Sequence, residues 1–252
     1  MDFTARPIAL LCALCVFMAA PVAPAAQDAK PYEPHYGQPG KDVVWVPTPD
    51  ALVEKMLDMA EITPQDFVID LGSGDGRMVI AAAKRGVRAL GVEFEKEMVE
   101  LARRRAAEAG VGDRAAFVQG DMFEADISGA SVLALFLMPE NLDRLAPKFL
   151  DMTPGSRIVL NYYTISGWNP DRTERLAHCN VWCTAHLYIV PAKVEGTWKL
   201  GEETLTLRQI FQTVRGTLMR GGVTLEITDG RLRGDRISFS AGGTRYEGRV
   251  DG

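Results

Sequence analysis

A chain of 252 residues has room for one medium domain and a smaller appendage, and 47% apolar with 24% charged residues suits a globular protein with a sizeable core. A net charge of −5 argues against nucleic acid as a partner, because phosphate backbones are bound by a surplus of Lys and Arg.

Residues 8 to 20 are an apolar run of thirteen, preceded by Arg6 and followed by Ala23-Pro24-Ala25. This pattern predicts a secretory signal peptide over residues 1 to 25, cut after Ala25, and a periplasmic or secreted product. A permanent anchor needs about 20 apolar residues, and Pro21 and Pro24 interrupt this run. The alternative is a membrane-anchored chain with a cytoplasmic domain, so membrane contact is expected only through an uncleaved N-terminus. Removing the leader takes away one acid, Asp2, and one base, Arg6, and leaves the charge unchanged. Cys12 and Cys15 go with it. The remaining pair, Cys179 and Cys183, reads either as a structural disulfide or as two inert buried thiols, since a three-residue gap with no second ligand pair does not suit zinc. His35, His178 and His186 are scattered with no metal-like spacing, and no metal is expected.

Residues 26 to 47 are rich in Pro, Gly, Tyr and His, have no helical period, and read as an extended arm. Thr48-Pro49-Asp50 offers a capping hydroxyl, a proline for the first turn and an acid, and Leu52, Val53, Met56, Leu57 and Ala60 then repeat with helical period. One helix is predicted over residues 49 to 60. Short apolar runs follow at 67 to 71, 87 to 92, 115 to 118, 131 to 137 and 157 to 161. Between them lie helical stretches at 77 to 85, 95 to 109 and 140 to 150, with Pro147 expected to kink or end the last. Strand and helix in alternation predict an α/β domain over residues 48 to 193, a parallel sheet with helices on both faces. Arg103-Arg104-Arg105 reads as a solvated helix face bridged to neighbouring turns. A late strand is expected at 184 to 190. Residues 194 to 252 hold eleven glycines in 59 positions and no helical period, which predicts a C-terminal antiparallel β meander of two or three hairpins.

The chemistry is concentrated in three places. Val68-Ile69-Asp70-Leu71-Gly72-Ser73-Gly74-Asp75-Gly76 ends the first strand and opens a helix, where glycines let the backbone turn tightly and approach a ligand. The spacing is Gly-x-Gly-x-Gly, unlike the Gly-x-Gly-x-x-Gly of dinucleotide folds. Asp70 and Asp75 bring negative charge where a pyrophosphate would want bare N–H groups, so a zwitterion bearing a sulfonium fits better. Glu93, twenty-three residues after Asp70, ends the second strand and is placed to accept both ribose hydroxyls. Asp121 ends the third, placed for an adenine amino group, with apolar cover from Met122 or Phe123. Together Asp70, Gly72, Ser73, Gly74, Asp75, Gly76, Glu93, Asp121 and Met122 outline one adenosine-shaped site.

With these residues in view, positions 45 to 170 resemble a class I, Rossmann-like S-adenosylmethionine-dependent methyltransferase. Trp45-Val46-Pro47-Thr48-Pro49, the loop at 70 to 76 and Leu135-Phe136-Leu137-Met138-Pro139 resemble the ATP synthase c subunit lysine N-methyltransferase family. The whole mature chain also resembles exported methyltransferase-like bacterial proteins. The resemblance implies S-adenosyl-L-methionine as cofactor and a seven-stranded sheet whose last strand is antiparallel. It also implies an acceptor pocket lined by Pro47, Thr48, Leu137, Met138 and Pro139, residues that equally suit a helix cap and a strand end. The Asn-Pro-Pro-Tyr motif of amide methylators is missing, which counts against glutamine or adenine as acceptor. A lysine must react neutral, and an apolar channel lowers its pKa by desolvation; Trp45, Phe136, Tyr162, Tyr163 and Trp168 are available as walls or as core. The expected function is N-methylation of a protein lysine or similar amine. The alternative is an exported adenosine-cofactor-binding protein without transfer activity.

Overall fold

The computed structural model describes residues 32–251 together with Met1. The rest of the expected leader, and residues 26 to 31 of the arm, lie outside the described residues. A seven-stranded sheet runs in the order β3-β2-β1-β4-β5-β7-β6, and a six-stranded sheet in the order β13-β12-β11-β10-β9-β8.

In the first sheet, β1 (Phe67–Leu71), β2 (Arg88–Glu93), β3 (Ala115–Gln119), β4 (Val132–Leu135) and β5 (Arg157–Asn161) are parallel, and β7 (Thr184–Ile189) pairs antiparallel with β5. Alternation along β1 sends Val68 to one apolar layer and Ile69 and Leu71 to the other, so both faces need cover. One face is covered by α1 (Asp50–Met59), α2 (Arg77–Lys84) and α3 (Lys96–Glu108), the other by α4 (Pro139–Phe149). Leu52, Met56 and Leu57 of α1 are fully buried, and each is worth about 1.5–3 kcal/mol of transfer free energy.

Four local expectations are corrected. Pro49, not Thr48, is the cap residue of α1, and no side chain caps that end; the Thr48 hydroxyl is turned inward to accept from Asn161 Nδ2 at 3.2 Å. Helix α4 continues through Pro147 to Phe149, because the lost backbone bond falls in the final turn, where buried Leu145, Ala146 and Phe149 hold the helix against the sheet. Arg103 and Arg105 are not confined to neighbouring turns: Arg103 donates to Phe117 O, and Arg105 reaches Asp75 and Glu33. Strand β6 (Arg172–Arg175) was not expected, since Arg-Thr-Glu-Arg has no apolar alternation. It forms as a charged outer strand on β7, with Lys55 bridged to Glu174 at 2.9 Å.

The C-terminal meander has six strands joined as five successive hairpins, more than the two or three expected: β8 (Gly196–Leu200), β9 (Glu203–Ile210), β10 (Thr213–Arg220), β11 (Val223–Arg233), β12 (Arg236–Ala241) and β13 (Thr244–Arg249). Its own apolar cluster includes Leu205, Leu207, Leu218, Leu232 and Phe239. The meander packs on the loop before β6: Phe211 stacks on Trp168 with centroids 5.2 Å apart, Gln212 donates to Asn169 O at 2.6 Å, and Arg231 pairs with Asp171 at 2.7 Å.

Candidate active site

The parallel strands end on one edge, and the loop after β1 is drawn onto the tip of β2. Gly72 and Ser73 donate backbone N–H bonds to Val92 O at 2.8 and 3.1 Å, and Gly74 N–H donates to Glu93 Oε2 at 2.8 Å. The other carboxylate oxygen of Glu93 accepts from Glu95 N–H at 3.0 Å. The bend needs left-handed backbone at Gly72, Gly74 and Gly76, with φ of 75°, 51° and 81°. The glycines differ in what they make room for. A β-carbon on Gly74 would stand 2.8 Å from the Trp45 indole nitrogen, so the arm lies on this part of the loop. One on Gly76 would stand 2.8 Å from Ala102 and from the Phe117 ring, so Gly76 serves helix packing and not ligand approach.

Above the loop is a cleft lined by Gly72, Val92, Glu93, Gly120, Asp121, Met122 and Phe136 and by arm residues 38 to 46. An adjoining small cavity is lined by Pro47, Thr48, Asp70, Gly72, Ser73, Gly74, Asp75 and Phe136. Trp45, Val46, Gly72 and Phe136 border both. Asp70 therefore lines the inner cavity and Glu93 and Asp121 the outer cleft, two neighbouring hollows that share these four residues. Asp70 is 7% exposed, and its carboxylate takes part in no hydrogen bond among the described residues. Burial pushes its pKa well above the ordinary carboxylate range, and the nearby charges of Glu93 and Asp75 push it further. Asp121 is held below that range by the Lys41 ammonium, 2.6 Å away, and by Phe123 N–H at 2.9 Å. Lys41 also stands 4.9 Å from the Phe94 ring centroid.

Asp75, expected to bind ligand, is committed elsewhere. Its side chain is 3% exposed and pairs with Arg77 at 2.7 Å and Arg105 at 2.5 Å. Burial alone would raise its pKa, but Arg77 and then Arg105 outweigh it and hold the carboxyl low. The acid borders the inner cavity and anchors α3 to the loop.

The acceptor residues also divide. Pro47 and Thr48 border the inner cavity beside Asp70. Leu137 is buried under Gly72, and Met138 and Pro139 begin α4, with Met138 exposed and outside both cavities. Trp168 is 2% exposed in the junction with the meander, so it is core rather than pocket. Tyr162, half exposed and at φ 65°, belongs to a cluster of four rings with Phe136, Tyr163 and Trp182. Trp182 was not anticipated; a tryptophan set between two cysteines four apart was the signal available. Cys179 and Cys183 form the disulfide. His186 Nε2 donates to Tyr162 O at 3.0 Å and Nδ1 accepts from the Thr173 hydroxyl at 2.9 Å, while burial holds the imidazole pKa low and the ring neutral. Beside this, Asn161 is fully buried and its Oδ1 has no partner among the described residues.

A sheet of this order with β7 reversed, and a cofactor cleft at the carboxyl ends of its strands, defines a class I methyltransferase. The family model described as ANTKMT methyltransferase domain matches residues 70–172, and one described as histone methylation protein DOT1 matches residues 20–111. Over 162 residues the chain is 38% identical to a protein-lysine N-methyltransferase of Saccharolobus islandicus, covering 63% of this chain and 96% of that protein. It is 33% identical over 139 residues to the ATP synthase c subunit lysine N-methyltransferase of Mus musculus, covering 55% of this chain and 56% of that protein. Among solved structures, an RNA methyltransferase from Salinibacter ruber in complex with S-adenosyl-L-homocysteine is 42% identical with a TM-score of 0.56, covering 59% of this chain and 96% of that one. The chain belongs to the class I S-adenosylmethionine-dependent methyltransferase family that includes the Saccharolobus enzyme, and S-adenosyl-L-methionine is its cofactor. The residues fit that cofactor: among the described residues Asp70 is an uncompensated buried carboxylate suited to an amino acid's ammonium, and Ser73 Oγ is buried without a partner.

Proposed function

We propose that this methyltransferase acts on the side-chain amine of a protein lysine, with Gly72, Ser73, Gly74, Asp70, Glu93, Asp121 and Met122 holding the cofactor. The observation that carries this reading is the aromatic rim formed by Phe136, Tyr162, Tyr163 and Trp182, whose Phe136 also borders both cavities of the cleft. When bound, S-adenosylmethionine supplies a methyl group on a sulfonium, a good leaving group. The chain's own part is to align the acceptor in line with that group and to exclude water. Asp70 and Glu93 orient the two ends of the cofactor. The aromatic rim guides the acceptor's alkyl chain toward the cleft and keeps water from it. Thr48 and Asn161, joined at 3.2 Å beneath the inner cavity, fix the arm's exit from the site. The lysine enzymes of Saccharolobus islandicus and Mus musculus support this acceptor; the Salinibacter ruber neighbour, named for RNA, sets the competing outcome.

Export through residues 1 to 25 belongs to the same proposal and is supported by the apolar run in the sequence and by the Cys179–Cys183 bridge, a bond of oxidising compartments. The test is transfer of labelled methyl from S-adenosylmethionine to a cell-envelope extract, with the Asp70→Ala, Glu93→Ala double variant as control. Label in a protease-sensitive, nuclease-resistant fraction, mapped to lysine, is expected. Label in RNA would overturn the lysine acceptor. Tight cofactor binding with no transfer to any fraction would favour the binding-protein alternative.

A further inference from the structure

The connection between β6 and β7 holds a device that methyl transfer itself does not require. Cys179 and Cys183 are bridged with their Cα atoms 5.7 Å apart, and Trp182 immediately precedes the second cysteine. Trp182 has φ 54°, a left-handed conformation that bulky L-residues avoid, so its neighbours must hold it there. The five-residue covalent ring does so, helped by Leu176 N–H bonding to Cys183 O at 2.9 Å. The indole N–H reaches Tyr36 of the arm at 3.5 Å. In this position the indole lies at right angles to Tyr162, with centroids 4.9 Å apart, and 5.3 Å from Phe136. Tyr162 is itself left-handed and fixed through its carbonyl by neutral His186. Two non-glycine residues in an unfavourable backbone conformation thus face each other beside Phe136, which borders the cleft. Both are held by bonds outside themselves.

Ring faces meeting at steep angles attract alkylammonium ions through their quadrupoles, and a quaternary ammonium, being weakly hydrated, benefits most. We propose that the Cys179–Cys183 disulfide holds Trp182 as one wall of an aromatic cage for the acceptor's alkylammonium group, so that cation recognition depends on the oxidation state of this loop. The proposal rests on the amine-acceptor reading above. A dithiol reductant opens the cage: its two thiol hydrogens end on the two cysteine sulfurs, the S–S bond breaks, and the dithiol becomes a cyclic disulfide, two electrons having passed. Freed of the covalent ring, Trp182 relaxes from its left-handed backbone and the indole leaves Tyr162.

The test is equilibrium binding to the full oxidised protein saturated with S-adenosylhomocysteine, and needs no turnover. The probes are a peptide carrying Nε-trimethyllysine and the same peptide with a neutral tert-butyl isostere. The oxidised protein is expected to prefer the cation by about tenfold. The preference should vanish on adding dithiothreitol, in Trp182→Ala and in the Cys179→Ser, Cys183→Ser variant, while Trp182→Phe keeps most of it. Affinity for S-adenosylhomocysteine should be unchanged in every arm, which reports an intact cofactor half. Equal binding of the two probes by oxidised protein overturns the proposal, as does a preference that survives reduction. If a variant fails to fold, the reduction of the unaltered chain decides. Failure of the methyltransferase reading shows separately, as absence of labelled transfer.

Discussion

Replacing Glu93 by alanine should remove cofactor affinity while leaving the fold nearly as stable. Its two carboxylate oxygens each accept one backbone N–H, from Gly74 at 2.8 Å and Glu95 at 3.0 Å, and each keeps a lone pair toward the cleft. Two ribose hydroxyls donating to that carboxylate contribute about 1.5 kcal/mol each, at the lower end for bonds to a charged group. Their loss is about 3 kcal/mol, a rise of roughly 150-fold in the dissociation constant. The same substitution frees two N–H groups at an open cleft, where water takes over, and it removes one of the negative charges that disfavour ionised Asp70. Those effects oppose each other, so stability should change by less than about 1 kcal/mol. Calorimetric titration with S-adenosylhomocysteine measures the first quantity and urea unfolding of the free protein the second. A dissociation constant within about threefold of the parent's refutes the assignment. So does a loss of stability as large as the loss of affinity.

Asp75→Asn should behave oppositely. It leaves Arg77 and Arg105 without their shared carboxylate, which costs about 2–3 kcal/mol in urea unfolding, reduced from the fully buried case because both guanidinium groups reach solvent. Asp70 gives a pH signature: its folded pKa lies above the unfolded value of 3.8, so its contribution to stability is present below that value and is lost as pH rises through the folded one. The free Asp70→Asn protein should therefore melt above the parent at about pH 8, by the equivalent of about 1–3 kcal/mol, yet bind S-adenosylhomocysteine more weakly; a lower melting temperature than the parent's there would contradict it. Trp168→Ala should destabilise by about 3–5 kcal/mol, because it empties the space between Tyr188 and Phe211, while cofactor affinity in the folded protein stays the same. Denaturant unfolding and calorimetry on that variant check both halves.

The sheet was legible because its apolar runs are bounded by turn residues: β1 and β5 fall where the sequence places them, and the helices within a residue or two. That Asp70, Glu93 and Asp121 border neighbouring hollows was legible because a strand end fixes where the next side chain stands, whatever lies around it. Asp75 was misread for the opposite reason. Its role is set by Arg105 on α3, thirty residues away, and spacing within the glycine loop carries no trace of that partner. Trp168, open to either wall or core in the sequence, is core because its ring is claimed by Phe211 of the meander, a contact across the two sheets. Trp182 escaped notice because its position depends on a left-handed backbone at a bulky residue, which local propensity argues against. Strand β6 escaped because edge pairing needs backbone groups, not apolar side chains.

The arm's Lys41 stands on the carboxylate assigned to the adenine amino group, and this has a kinetic consequence. A nucleoside reaching Asp121 must displace an ammonium already bonded there, so loading and unloading are exchange reactions rather than simple encounters. Because Lys41 is solvent-exposed, dissolved ions screen its attraction to Asp121 and compete for the same oxygens. Moderate salt should then quicken loading of the nucleoside, the reverse of its usual action on charged ligands.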